Sequence, residues 1–242
     1  MKPSLACILT LAVLLAGCAG RAAGTAQTVP TPAATIQDTA PRATEPVQSR
    51  LTEEERPMAL GRVEDGVYTN TYAGIGCRLG EGWDWATAQE LQELSREVQE
   101  ALDGTAVGST IQDGTQVYDM QAQNSEALTT TNVVFTKLSA KERLAYALMS
   151  DEDIIQTTLE QEDALVESYA KAGILVTSME AVQVSFLGQS RTALRTQSTY
   201  QGIAYYMLQV FDYRLGEFGM TMTVGSFQED HTQQLLELYY PL

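Results

Sequence analysis

The sequence predicts an α+β domain, a mainly antiparallel sheet with helices against both faces, preceded by a long non-globular stretch. Three observations point there. Short runs that alternate apolar and polar residues are parted by glycine turns, as half-buried strands require. Between them, hydroxyl-x-x-acid caps open segments whose apolar residues recur at helical spacing. Late strands are apolar on both faces, Tyr206, Leu208 and Val210 on one and Tyr205, Met207 and Phe211 on the other. A sheet wet on one side needs only one such face, so a covering layer is expected on each.

In chain order, Lys2 supplies one positive charge and Leu5 to Leu15 is an uncharged run rich in Leu and Ala. That run fits a secretory signal and is too short for a bilayer core, which takes about 20 apolar residues. Ala16 and Gly17 are small, and Cys18 follows at once. Leu15-Ala16-Gly17-Cys18 closely resembles the lipobox of bacterial lipoproteins. The resemblance implies cleavage between Gly17 and Cys18, with a diacylglyceryl group on the Cys18 thiol. An ordinary signal would prefer a small residue where Leu15 stands. Two or three acyl chains, at about 0.8 kcal/mol per buried CH₂, anchor far more firmly than one. The expected location is the extracytoplasmic face of the cell membrane.

The expected organisation is a signal peptide over 1–17, a lipidated tether over 18–62 and one domain over 63–242. The tether is rich in Ala, Thr, Pro and Gln and nearly free of large apolar residues, so burial cannot offset its ordering entropy. As a flexible chain it would span about 35–40 Å. Its charges balance, so the domain carries the whole acidic excess, 9 basic against 26 acidic residues. Nucleic-acid phosphates and anionic lipid head groups would repel such a domain. The mature chain keeps only Cys18 and Cys77, and lipidation of the first leaves no intrachain disulfide. Cys77, between Ile75 and Leu79, is expected as a small buried hydrophobe.

The domain opens with a hairpin, Gly66 to Tyr72 and Ile75 to Leu79, closed by Gly80-Glu81-Gly82-Trp83. Its glycines lack the spacing and the lysine of a phosphate loop. Thr87-Ala88-Gln89-Glu90 is a capping box, and Leu91, Leu94, Val98 and Leu102 continue as a helix that Asp103-Gly104 ends. Strands follow over 116–121 and 132–138, then a capping box at Ser139 and a cap at Ser150. Ile155, Leu159, Val166 and Tyr169 predict one helix up to Gly173. Beyond it come Val182 to Phe186, Arg191 to Tyr200, a Gln201-Gly202 hairpin, Ala204 to Tyr213, Met220 to Val224, and a last helix over 229–239.

This order, together with Tyr68-x-Asn70-x-Tyr72, Gly82-Trp83 and the Gly188 and Gln201-Gly202 turns, resembles the Mog1/PsbP-like fold. That resemblance implies an α/β/α sandwich and a largely non-enzymatic role in binding protein partners. It carries no site residue onto this chain.

Little in the sequence selects chemistry. His231 stands at the start of the last helix beside Asp230, as a cap or surface residue would. No Gly-x-Ser-x-Gly occurs, and one histidine with one free cysteine cannot build a zinc site. No cofactor and no metal are expected. The most suggestive run is Asp151, Glu152, Asp153, Glu160, Glu162 and Asp163, with Glu167 beyond. Its plain reading is a solvated helix face whose first acids favour the N-terminus. The sharper readings are a docking face for a basic partner or a weak Ca²⁺ site, though the EF-hand loop is absent. Trp83 is expected in the core beneath the hairpin. Trp85, two positions on, would face the other way and is a candidate binding residue. The leading expectation is therefore a non-catalytic binding or accessory module for a protein or envelope component. The alternative is an envelope hydrolase with paired carboxylates, and nothing in the sequence selects the pair. A small-solute receptor would need more chain and a repeated lobe.

Overall fold

Residues 58–102 and 116–242 are described in the computed structural model of the protein. The apolar N-terminal run, Cys18, the tether up to residue 57 and the Asp103-Gly104 stop lie outside the described residues. The elements are β1 (Arg62–Glu64), β2 (Val67–Asn70), β3 (Ile75–Arg78), β4 (Asp84–Trp85), α1 (Ala88–Leu102), β5 (Gln116–Asn124) and β6 (Thr129–Lys137). Then come α2 (Ala140–Ala147), α3 (Asp151–Leu159), α4 (Glu162–Lys171), β7 (Ile174–Phe186), β8 (Gln189–Tyr200) and β9 (Ile203–Asp212). β10 (Phe218–Phe227), α5 (Thr232–Leu236) and β11 (Tyr239–Pro241) complete the chain.

The fold is mixed α+β and its strand pairs are antiparallel. A large sheet runs β4-β5-β6-β10-β9-β8-β7 and a small one β1-β2-β3-β11. The long strands succeed one another through tight turns. Leu187-Gly188 and Gln201-Gly202 each place two successive residues at positive φ, the mirror-image turn whose twist suits a two-residue hairpin.

The two faces of the large sheet are covered differently. On one, Tyr118, Val134, Leu194, Tyr205, Met207 and Phe211 meet Leu94 of α1, Tyr146 of α2, Ile154 and Ile155 of α3, and Leu165 and Tyr169 of α4. On the other, Met120, Val133, Phe135, Leu208, Val210 and Met222 meet Tyr68, Ile75 and Cys77 of the small sheet, Leu235 and Leu236 of α5, and Tyr239. The second face is thus covered by a small sheet with one five-residue helix beside it.

Three elements depart from expectation for local reasons. The helix expected up to Gly173 is two helices. Gln161-Glu162-Asp163 offers no apolar residue to carry the stripe across, and the Gln161 amide turns back to the Thr158 carbonyl. The strand expected from Val182 begins at Ile174, because a bulge between Val176 and Ser178 breaks the alternation that would reveal it. The last helix stops at Leu236, and Tyr239–Pro241 pairs with β3.

A buried carboxylate joins the two sheets. β5 carries a bulge between Tyr118 and Met120, and this turns Asp119 toward the small sheet. Asp119 is 8% exposed and accepts from the Tyr68 hydroxyl at 2.5 Å, the Asn70 amide at 2.8 Å and the Gly61 N–H at 2.7 Å. Burial and the adjacent carboxylate hold the Tyr68 phenol well above its ordinary pKa. Gly61 has no room for a side chain, since a Cβ would lie 2.3 Å from the Tyr68 ring. Met58 also packs on this core, ahead of the boundary expected at 62. Asp119→Ala would remove the acceptor of the Tyr68 hydroxyl and the Gly61 N–H and leave the Asn70 amide only the Ala59 carbonyl at 3.2 Å, and is expected to cost about 3 kcal/mol. The check is a fall in the urea midpoint at unchanged slope.

Candidate functional site

The acidic run does not form one surface. Asp151 opens α3 and is drawn inward by two arginines from the sheet. Arg191 of β8 donates through Nε to Oδ2 of Asp151 and through Nη2 to Oδ1 at 3.3 Å. Arg214, just past β9, donates to Oδ1 at 2.6 Å. Asp212 closes the network, 3.6 Å from Arg214 and 4.0 Å from Arg191. Arg191 also donates to the Phe211 carbonyl at 2.9 Å, and its side chain is 11% exposed. Asp151, Arg191 and Arg214 of this network line a shallow depression of about 420 Å³, together with Ser150, Glu152, Gln189 and Thr192. This arrangement pins the start of α3 to β8 and β9, and its charges satisfy one another.

Asp153 is engaged differently. It accepts from the Ser150 N–H at 2.8 Å and hydroxyl at 2.7 Å, while its own N–H donates to Ser150 Oγ at 3.1 Å. The Ser150 hydroxyl first, and then its amide, hold the Asp153 carboxyl below the ordinary range. A depressed carboxyl stabilises the fold above its unfolded pKa and loses that contribution as pH falls through the folded value. Glu90 is lowered in the same way by the Thr87 amide and hydroxyl at the start of α1.

Glu152, Glu160, Glu162 and Asp163 remain exposed, and Glu167 pairs with Lys171 at 3.0 Å. The structure therefore keeps five of the six singled-out acids exposed, Asp153 among them as the capping partner of Ser150, and draws only Asp151 inward. The calcium reading finds no ligand cluster, since no group of three or more His, Cys, Asp or Glu gathers among the described residues. Trp85 departs from its expected exposure. It lies in β4, half-buried, and packs on the same apolar cluster as Trp83, because residues two apart on an extended chain share a face. His231 is exposed, 3.6 Å from Glu229, and the α5 start is capped by Asp230, which accepts from the Thr232 amide at 3.0 Å.

Cys77 is fully buried in β3 and free, and burial pushes its thiol up to about 12. Two features escaped sequence reading. Asp119 was legible only as a lone acid inside Val117-Tyr118-Asp119-Met120, a place where a carboxylate must find donors. The partners of Asp151 are forty and sixty-three residues away.

The sequence matches no protein-family model, and no curated protein is significantly similar to it. No helix among the described residues is long and apolar enough to cross a membrane.

Asp151→Ala leaves Arg191 enclosed with the Phe211 carbonyl and, as its nearest carboxylate, Asp212 at 4.0 Å, and is expected to destabilise by about 2 kcal/mol. Exposed Glu160→Ala should change stability by no more than about 0.5 kcal/mol, which chemical denaturation of both variants would test. Iodoacetamide at pH 8 should leave Cys77 unmodified in the native protein and alkylate it in urea, as peptide mass mapping would show.

Proposed function

We propose that the protein is a lipid-anchored, extracytoplasmic accessory module that binds a protein or envelope component and catalyses no reaction. One observation carries this reading. Leu15-Ala16-Gly17-Cys18 closes an eleven-residue apolar run behind a single positive charge. Lipidation of Cys18 would place the domain beside the membrane at the end of a neutral tether. The acidic excess of the domain would keep it off an anionic surface. The exposed acids Glu152, Glu160, Glu162 and Asp163 favour a partner of basic character. Of the two carboxylates that line the depression, Asp151 is held by Arg191 and Arg214, which favours binding over hydrolysis by a carboxylate pair.

The finer fold reading, an α/β/α sandwich of the Mog1/PsbP-like kind, belongs with this proposal. Its support is the order of hairpin, helix, strands, helices, meander and a short helix, after which β11 returns to the small sheet.

Metabolic labelling with palmitate tests the anchor. The wild-type chain should carry label and sediment with membranes, and Cys18→Ser should be unlabelled. An unlabelled wild type, or a Cys18→Ser chain still carrying label, would overturn the reading.

A further inference from the structure

Among the described residues four strands end the two sheets, and three of them are guarded against further pairing. β4 has two residues and β1 and β11 three each, too short to offer much to another strand. β1 also carries Arg62 and Glu64, and β11 closes on Pro241. β7 is different. It is the last strand of the large sheet, thirteen residues long, and among the described residues it pairs only with β8.

The bulge in β7 is confined to its start, where Thr177 Oγ1 donates to the Gln197 carbonyl at 3.0 Å. From Ser178 to Phe186 the register with β8 is unbroken over nine residues. In an antiparallel pair every second residue turns its N–H and C=O away from its neighbour, so this stretch presents about four such pairs. They are spread along roughly 30 Å. No proline, lysine or arginine guards the strand, and its one charge is Glu180.

The edge is apolar along its margins and acidic at its middle. Leu175 is 62% exposed. Met179 and Ala181 pack half-buried on the helix-side cluster and Val182 on the opposite one, so a strand laid alongside meets apolar neighbours on both faces. Glu180 stands at the midpoint of β7 with its side chain 52% exposed, and Arg195 of β8 is 3.8 Å from it, beyond hydrogen-bond reach. α4 turns at Gly173 into β7 and packs on it, and its exposed Glu162 and Asp163 add to the negative charge on this side of the sheet.

We propose that the outer edge of β7 docks an extended segment of a partner protein, added to the seven-stranded sheet as an eighth strand, with side chains that alternate between apolar and basic. Main-chain hydrogen bonds hold the segment. Its pattern is read by Met179 and Ala181, which take apolar neighbours, and by Glu180, which takes a lysine or arginine. Charge decides the occupant. The domain has 26 acidic against 9 basic residues and draws a basic segment toward it. A second copy pairing antiparallel in full register would set Glu180 opposite its own copy, and like charges directly opposite destabilise. The proposal rests on the basic-partner reading above and deepens it by giving the partner its place and its form.

Fluorescence anisotropy of a labelled peptide of alternating valine and lysine, about ten residues long to span the edge, tests it against the full-length chain in non-ionic detergent. Saturation is expected at a Kd of about 100 μM or tighter. The same peptide N-methylated throughout keeps its charge but loses its main-chain donors, and should bind at least about tenfold more weakly. Glu180→Lys should weaken the unmethylated peptide about tenfold. Glu126→Lys makes the same charge change in the exposed turn between β5 and β6, across the sheet from β7, and should leave affinity within about twofold. Bound peptide should also slow amide hydrogen exchange over 178–186. Absent saturation would overturn the proposal together with the basic-partner reading. Equal binding of the methylated peptide, or equal losses in the two variants, would overturn the edge alone and leave that reading standing. Protection of 178–186 without peptide that falls on dilution would assign the edge to a second copy and overturn the proposal as well.

Discussion

The architecture depends on a sheet whose middle cannot face water on either side. β6 is buried at every position but its last, and β10 at every position but its first. With alternate side chains pointing to opposite faces, such strands need an apolar layer above and another below. Helices α1 to α4 supply the first layer, and the small sheet with α5 supplies the second. A layer made of short strands is a poor cover unless something fixes it in place. Asp119 does this from within, since one carboxylate binds donors from β2 and from the segment leading into β1.

The same logic explains the division of the charged residues. Charges that touch the fold are answered at close range, as Asp151 is by Arg191 and Arg214, while the remaining acids stay in solvent. With so few basic residues in the domain, committing two arginines to one aspartate is a large share of its cations. Because Asp212 joins the same network, its two arginines and two aspartates cancel, and the acidic excess of the rest of the domain is that of the composition.

Much of this was legible where the signal was local. The capping boxes at Ser139 and Ser150 open α2 and α3, and Gln201-Gly202 joins β8 to β9. Cys77 lies where its apolar neighbours put it. What sequence could not reveal was non-local. The break between α3 and α4 follows from the absence of an apolar residue over one turn. The partner of Tyr239 is a strand at the other end of the domain, and the role of Asp119 requires knowing that β2 lies beneath β5. The acidic run was visible as a string of like charges, but its first member could be separated from the rest only once Arg191 and Arg214 stood beside it.

The small sheet draws β1, β2 and β3 from the beginning of the domain and β11 from residues 239–241. A growing chain emerging from its N-terminus can finish the large sheet after residue 227, yet the layer over Val133, Leu208 and Met222 still lacks its final strand. Closure of that layer waits on long-range pairing, which comes late and slowly. Until residues 239–241 are made, the nascent domain presents an oily flank, and a chaperone that shields such surfaces would have its longest opportunity there.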